Sequence, residues 1–131
     1  MMNILQRYEA LAEKKRWDEA LLVIREIIDA NPGIDTSWFN CGVCLNELGR
    51  HKEAAVAFIK AQELNVDDWG IHYRIFRSLL LANDINQFLE FADYSCGLNS
   101  EMIGVLLDDP EFASLLRRPE FDTLRKKYQK L

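Results

Sequence analysis

Several residue types are scarce in this chain, and each scarcity excludes a class of protein. Six glycines and three prolines among 131 residues are too few for a loop-rich β protein or a low-complexity linker. Three cysteines argue against a secreted disulfide framework and favour a reducing cytoplasm. No apolar run approaches the roughly 18 residues of a membrane span, and no signal peptide is visible. We therefore expect a cytoplasmic protein with no membrane partner.

Basic residues are also in deficit. The chain has 16 Lys and Arg against 21 Asp and Glu, a net charge of −5. Because binding to a phosphate backbone depends on clustered cations, we expect no nucleic-acid partner. What the chain does have, 49% apolar residues, is enough for one domain with a substantial core.

Apolar residues recur at helical spacing along most of the chain. Within residues 17–28 they fall at steps of three and four, which makes one stripe of an amphipathic helix. Short turn signals divide the chain into pieces of about 12–15 residues, the length of ordinary helices. Connections this short predict helices that pack antiparallel to their neighbours.

The pattern repeats along the chain at an interval of about 34 residues, a period typical of stacked helical hairpins. A shift of 34 aligns three leucines and three asparagines: Leu11, Leu45, Leu79, Asn31, Asn65 and Asn99. Each asparagine follows an apolar helical stretch. Because asparagine tolerates the left-handed conformation that ends many helices, these residues predict a repeated stop signal. Helix, turn, helix and stop at this interval indicate a solenoid of helical hairpins.

This period and pattern resemble the tetratricopeptide repeat (TPR) family. Residues 35–68 match best, residues 1–34 match fairly and residues 69–102 match weakly. The signature places of the middle unit hold Trp38, Gly42, Leu45, Gly49, Ala54, Phe58 and Ala61. Departures are Val66 in place of the usual proline and Tyr8 in place of a small residue. The resemblance implies an all-α superhelix of three hairpins in a single domain, 1–131, with residues 103–131 as a C-terminal cap.

The signature also has a physical reason that is independent of the family. Small side chains at Gly42 and Ala54 allow the two helices of one hairpin to approach closely. We expect Trp38, Leu45 and Phe58 to fill the space around that crossing.

The C-terminal part of the chain carries its own signals. Asp109-Pro110-Glu111-Phe112 is echoed nine positions later by Arg118-Pro119-Glu120-Phe121, and proline suits the first position of a helix. We expect short helices over roughly 101–107, from 110 to 116 and from 119 onward, packed on the third hairpin. Residues 110–131 have six basic and three acidic side chains, which indicates a solvated helix end or a docking patch for an acidic partner.

No constellation typical of catalysis or metal binding stands out. Cys41 and Cys44 have the spacing of a redox pair but lie in the middle of a predicted helix, where such cysteines usually pack in a core. His51 and His72 have no nucleophile or carboxylate pair at a useful spacing. We expect no enzymatic activity, no cofactor and no metal. A redox or metal protein that uses the two cysteines is the alternative.

The resemblance also implies a binding face. In TPR proteins the first (A) helix of each hairpin lines a concave groove that holds peptides. Mapped position by position, the partner-binding residues here would be Leu5, Glu9, Phe39, Asn40, Val43, Tyr73, Arg74 and Arg77. Of these, Phe39, Val43 and Tyr73 would form, with Leu80 and Leu81, an apolar patch of the kind that marks an interaction site. The resemblance implies a non-enzymatic protein-interaction module, either a scaffold or a co-chaperone-like adaptor.

Two alternatives remain for this face. The C-terminal helices could fold back and fill the groove, and the first helix could bury Ile4, Leu5, Tyr8 and Leu11 in a second copy of a self-assembling subunit. The carboxylate clamp of some relatives is not expected, since Leu5 and Gly70 lack the required chemistry and Glu9 would repel a carboxylate. An acidic group could still bind Arg74.

Overall fold

The computed structural model describes residues 1–129, and within that range it contains helices and no strands. The helices are α1 Ile4–Glu13, α2 Trp17–Ala30, α3 Asp35–Glu47, α4 His51–Leu64, α5 Trp69–Leu81, α6 Ile85–Leu98, α7 Met102–Asp108, α8 Ala113–Leu116 and α9 Asp122–Tyr128, with a 3-10 turn at Pro119–Phe121 before α9. The all-α fold class is therefore confirmed. No helix in residues 1–129 is both long and apolar enough to span a membrane.

The repeat interval is visible in the helix boundaries. Helices α2, α4 and α6 begin at residues 17, 51 and 85 and end at residues 30, 64 and 98. Helices α1, α3 and α5 end at residues 13, 47 and 81. The repeat inferred from aligned leucines and asparagines is thus a repeat of helix boundaries.

The chain divides into two compact units, Met1–Asp84 and Ile85–Leu131. The boundary lies inside the third expected repeat, because α5 belongs to the first unit and α6 to the second. The single-domain organisation over 1–131, and the role of residues 103–131 as a cap, stay predictions.

The first unit is built around apolar side chains from α2 to α5. Ile24, Phe58 and Ile75 have no exposed surface, and each such side chain stabilises the fold by about 1.5–3 kcal/mol through burial. Gly42 lies against the Phe58 ring so closely that a Cβ atom there would meet ring carbons at 2.7 Å. The close helix crossing expected at Gly42 is therefore present.

The residues that end the helices differ from expectation in their backbone. Asn31 and Asn65 follow α2 and α4 as expected, but their φ angles of −151° and −147° are not left-handed. The Asn31 side chain instead accepts a hydrogen bond from the Gly33 amide at 3.2 Å, which holds the turn. The left-handed residues lie in the turns that follow α1, α3 and α5: Lys15 (φ 58°), Gly49 (φ 76°) and Asn83 (φ 54°). These three positions follow one another at the interval of the repeat.

The second unit has its own aromatic core. Phe88, Phe112 and Phe121 are fully buried, and the Phe88 ring centroid lies 5.8 Å and 5.9 Å from the other two. The expected helix at 110–116 begins later, at Ala113. Asp109 accepts a hydrogen bond from the Glu111 amide at 2.8 Å, so Pro110 lies in a turn and does not begin the helix.

Candidate functional site

Helices α1, α3 and α5 are connected by polar contacts between their side chains. The Cys44 thiol of α3 lies 3.9 Å from the Tyr8 hydroxyl of α1, and Asn46 Nδ2 of α3 donates to Ser78 Oγ of α5 at 2.9 Å. We call the residues that the sequence assigned to partner binding on these three helices the A-helix face. They are Leu5, Glu9, Phe39, Asn40, Val43, Tyr73, Arg74 and Arg77.

Phe39 and Arg74 form the centre of this face. The half-buried Phe39 ring packs edge-on against the buried Phe58 ring, with centroids 5.4 Å apart. The Arg74 guanidinium lies 5.3 Å from the Phe39 centroid, a cation–π contact worth about 0.5–1 kcal/mol at an exposed site. The structure therefore brings an apolar ring of α3 and an exposed cation of α5 together, although 35 positions separate them in the sequence.

A polar cluster stabilises the neighbouring part of α3. Ser78 Oγ accepts from Asn46 Nδ2, and Asn46 Oδ1 lies 2.8 Å from His51 Nδ1. If Asn46 Oδ1 accepts that bond, His51 carries its proton on Nδ1. The cluster connects α3, α4 and α5. The sequence analysis did not single out Ser78. Its only signal in the sequence is a serine on the apolar stripe that contains Ile75 and Leu79, and in the structure it is fully buried.

The remaining members of the A-helix face differ in exposure. Leu5 and Tyr73 are 48% and 40% exposed, while Asn40 and Val43 are half-buried. Glu9, Arg74 and Arg77 are exposed. Of the two leucines added to the expected apolar patch, Leu81 is 47% exposed and Leu80 is half-buried. The role of the A-helix face in binding a partner stays a prediction.

The two cysteines in α3 are core residues. Cys41 and Cys44 are 5% and 0% exposed, and burial raises the pKa of both thiols. Burial likewise raises the pKa of Tyr8, which contacts Cys44. A raised pKa lowers the fraction of thiolate, the form that acts in redox exchange and metal binding. Across residues 1–129, no group of three or more candidate ligands could hold a metal ion.

His72, another candidate for chemistry, and the nearby Asp68 also have structural surroundings. His72 is fully buried, its ring centroid lies 4.4 Å from that of Trp69, and burial lowers its pKa. Asp68 caps α5 by accepting from the Gly70 amide at 3.0 Å, the role that its position before a helix predicts.

Two clefts flank the first unit away from the A-helix face. A cleft of about 400 Å³ lies among α2, α3 and α4, with Trp38 and Cys41 in its wall. Trp38 is half-buried and its Nε1 donates to the Pro32 carbonyl at 2.8 Å, so part of its side chain lines this cleft. A second, mainly apolar cleft of about 430 Å³ lies between α1 and α2, with Leu11 and Leu22 in its wall.

Comparison with known proteins gives a fold and no family. No family model matches the chain, and no curated protein sequence matches it. The structure is similar to the solved structure of SycD, a type III secretion translocator chaperone of Yersinia enterocolitica. The TM-score is 0.62 with 15% sequence identity, over 97% of this chain and 84% of that one. This likeness supports a TPR-like helical-repeat fold, whereas membership of the TPR family stays a prediction.

Proposed function

We propose that this chain is a non-enzymatic binding module that holds a segment of a protein partner on its A-helix face. The observation that carries the proposal is the pair at the centre of that face. Phe39 is supported from behind by Phe58 and has the Arg74 guanidinium over its ring. An apolar ring beside an exposed cation is the kind of contact that dominates binding energy in protein interfaces.

The surrounding side chains favour a partner with apolar groups. Leu5, Tyr73 and Leu81 are each at least 40% exposed. Covering such surface contributes about 25 cal/mol per Å² of apolar area. The Asn46–Ser78 hydrogen bond holds α3 against α5, so the face would change little on binding and lose little entropy.

The similarity to SycD is consistent with this proposal. That protein is a chaperone for translocators, and an adaptor or chaperone that holds another protein would need an exposed face of this kind. A cytoplasmic location, predicted from the few cysteines, would suit such a role and stays a prediction.

Peptide selection followed by mapping tests the proposal. Short random peptides would be selected on the full chain, and the strongest binder titrated into ¹⁵N-labelled protein. We expect the largest chemical-shift changes in α1, α3 and α5. Tyr73→Ser should weaken that peptide about 10-fold, as burial of an aromatic side chain at an interface is typically worth about 1–2 kcal/mol.

Val56→Ser provides the matched control. Val56 of α4 is 61% exposed and lines the cleft among α2, α3 and α4, so its loss should leave peptide affinity and stability nearly unchanged. Equal effects of the two substitutions on affinity, or shift changes confined to α2 and α4, would contradict the proposal.

A second candidate function is self-assembly through the first helix. The cleft between α1 and α2 is mainly apolar, and Met2 and Leu22 in its wall are 59% and 64% exposed. Burial of this surface in a second copy would favour a dimer. Light scattering over a dilution series tests it, with Leu22→Glu as the variant. A monomer at every concentration would refute it, and a dimer unaffected by Leu22→Glu would place the contact elsewhere.

A further inference from the structure

The two clefts of the first unit have equivalent walls. In the cleft among α2, α3 and α4, the residues that α3 and α4 contribute include Cys41, Leu45, Glu53, Val56 and Ala57. The residues 34 positions earlier line the cleft between α1 and α2, namely Arg7, Leu11, Glu19, Leu22 and Val23. The surface that α3 and α4 present to one cleft is therefore repeated by α1 and α2 in the other.

The local geometry of the two helix pairs also repeats. Arg16 Nε donates to Glu19 Oε1 at 3.0 Å, and Arg50 Nε donates to Glu53 Oε1 at 2.9 Å. These arginines lie directly before α2 and α4, whose boundaries are 34 residues apart. The pair α1 and α2 can therefore be compared with the pair α3 and α4 position by position.

The two clefts differ in the helix that lies over them. Helix α2 closes one side of the cleft among α2, α3 and α4. It contributes Ile28, which is 7% exposed, and Arg25, whose guanidinium lies 3.9 Å from the Glu53 carboxylate of α4. Within residues 1–129, the lining of the cleft between α1 and α2 comes from these two helices and the residues next to α1. In that part of the chain, no helix covers α1 and α2 in the way that α2 covers α3 and α4.

The exposure of apolar side chains follows this difference. Leu45 and Ala57, which line the covered cleft together with Ile28, are each 3% exposed. Their equivalents, Leu11 and Val23, are only half-buried. A helix placed over α1 and α2 would bury these two side chains, and burial of apolar surface is the main favourable contribution to association. The uncovered surface thus matches a surface that binds a helix elsewhere in the same unit.

Arg25 of α2 shows where a charged side chain of such a helix would lie. Its guanidinium is 3.9 Å from Glu53, and it also acts on Cys41, because burial raises the pKa of that thiol and the nearby guanidinium opposes the rise. The equivalents of these two residues in the cleft between α1 and α2 are Glu19 and Arg7. A side chain at the place of Arg25 would therefore lie beside both.

Of these two residues, Arg7 is the more available for a new ion pair. Glu19 is in an ion pair at 2.6 Å with the arginine that precedes α2, whereas Arg7 lies 3.7 Å from Glu26, beyond the range of a hydrogen bond. The exposed Lys14 adds a second cation to the same cleft. An acidic side chain at the place of Arg25 would therefore be attracted, and a basic one repelled.

From these observations we infer that the cleft between α1 and α2 binds an amphipathic helix of a partner protein, placed over α1 and α2 as α2 is placed over α3 and α4. The apolar stripe of the helix covers Leu11 and Val23, and an acidic side chain pairs with Arg7. The inference does not rest on the A-helix face. It also differs from self-assembly, in which a second copy would fill this cleft.

Two synthetic peptides test the inference. Each has the sequence of α2, residues 17–30, because α2 already packs over the equivalent surface, and each has blocked termini and a fluorescent label. One peptide keeps arginine at position 25, and the other has the Arg25→Glu substitution. Both are titrated with the full chain by fluorescence anisotropy, and sedimentation follows the oligomeric state.

We expect the Arg25→Glu peptide to bind one to one to a monomeric chain, about 3- to 10-fold more tightly than the arginine peptide, since exposed ion pairs contribute modestly. Its chemical-shift changes in the ¹⁵N-labelled chain should lie in α1 and α2. Changes in α3 and α4 would mean that the peptide displaces α2, changes in α3 and α5 would place it on the A-helix face, and either result would overturn the inference. So would the failure of both peptides to bind, and a dimeric chain that excludes them would show that a second copy fills the cleft.

Charge exchange in the protein gives an independent check, because both peptides are compared on the same variant and a change in stability affects them equally. Arg7→Glu should reverse the preference, so that the arginine peptide binds about 3-fold more tightly. Lys60→Glu is the matched control, since it makes the same change of net charge at an exposed residue of α4 that lines neither cleft, and the preference should stay. An unchanged preference in Arg7→Glu, or a reversal in both variants, would refute the pairing with Arg7.

Discussion

Gly42→Ala probes the closest approach in the first unit. An added Cβ would lie 2.7 Å from two carbons of the Phe58 ring and 2.8 Å from a third. Ordinary carbon contacts are about 3.5–4.0 Å, so the overlap is about 1 Å at three atoms at once. The ring cannot withdraw, because Phe58 is fully buried and packs against Phe39.

The expected magnitude follows from two opposing effects. Overpacking a core costs about 1–3 kcal/mol, and three simultaneous contacts favour the upper end of that range. Replacing glycine by alanine inside a helix contributes about 1 kcal/mol in the other direction. We expect the free energy of unfolding to fall by about 2 kcal/mol.

Urea unfolding followed by tryptophan fluorescence measures this change in the relevant unit. The three tryptophans, Trp17, Trp38 and Trp69, all belong to the first unit. Gly33→Ala is the control, because a Cβ there meets its nearest atom at an ordinary 3.5 Å and stability should change by less than about 0.5 kcal/mol.

A double substitution tests the assigned cause. In a Phe58→Leu background the obstructing ring is absent, so Gly42→Ala should become neutral or stabilising by up to about 1 kcal/mol. If Gly42→Ala is as costly with leucine at position 58 as with phenylalanine, the clash is not the cause. If the single variant is as stable as the parent, the close approach itself is refuted.

Three further predictions concern backbone strain, pH and thiols. Residues 15 and 49 both have positive φ, which glycine adopts without strain. Lys15→Gly should therefore raise the free energy of unfolding in urea by about 1 kcal/mol, and Gly49→Ala should lower it by about as much. A change of the same sign for both variants would contradict this explanation. Burial lowers the pKa of His72, so the unfolded state binds more protons than the native state, and stability should fall as pH decreases below about 6.5. His72→Phe should flatten the dependence of stability on pH between about pH 7.5 and 5.5. Equal pH dependence in the variant and the parent would refute the assignment. Burial raises the pKa of Cys41 and Cys44, so an aromatic disulfide reagent at pH 8 should react with them at least about 10-fold more slowly in the native than in the unfolded protein. Fast labelling of the native protein would restore the redox hypothesis.

The candidate site was only partly predictable from the sequence. Repeat positions predicted that Phe39 and Arg74 lie on the first helices of successive repeats, α3 and α5. Their cation–π contact could not be predicted, because it depends on the rotation of each helix about its own axis. Trp38 shows the opposite case. Its signature position predicted a core residue, and the structure has it half-buried on the wall of a cleft, hydrogen-bonded to Pro32.

Features that depend on neighbouring residues or on a period follow from the amino-acid sequence alone. Helix positions follow from apolar stripes at steps of three and four, and their boundaries repeat at the interval at which leucines and asparagines align. The absence of a side chain at Gly42 was enough to predict a close crossing. Each of these effects is local, so a few residues of sequence contain its cause.

Which side chains meet and which stay exposed depends on how distant segments pack in three dimensions. The pairing of Asn46 with Ser78 joins residues 32 positions apart. The left-handed residues are Lys15, Gly49 and Asn83, after α1, α3 and α5, and not the asparagines that follow α2 and α4. Such contacts are fixed by the free energy of the whole packed unit, which no single segment of sequence contains.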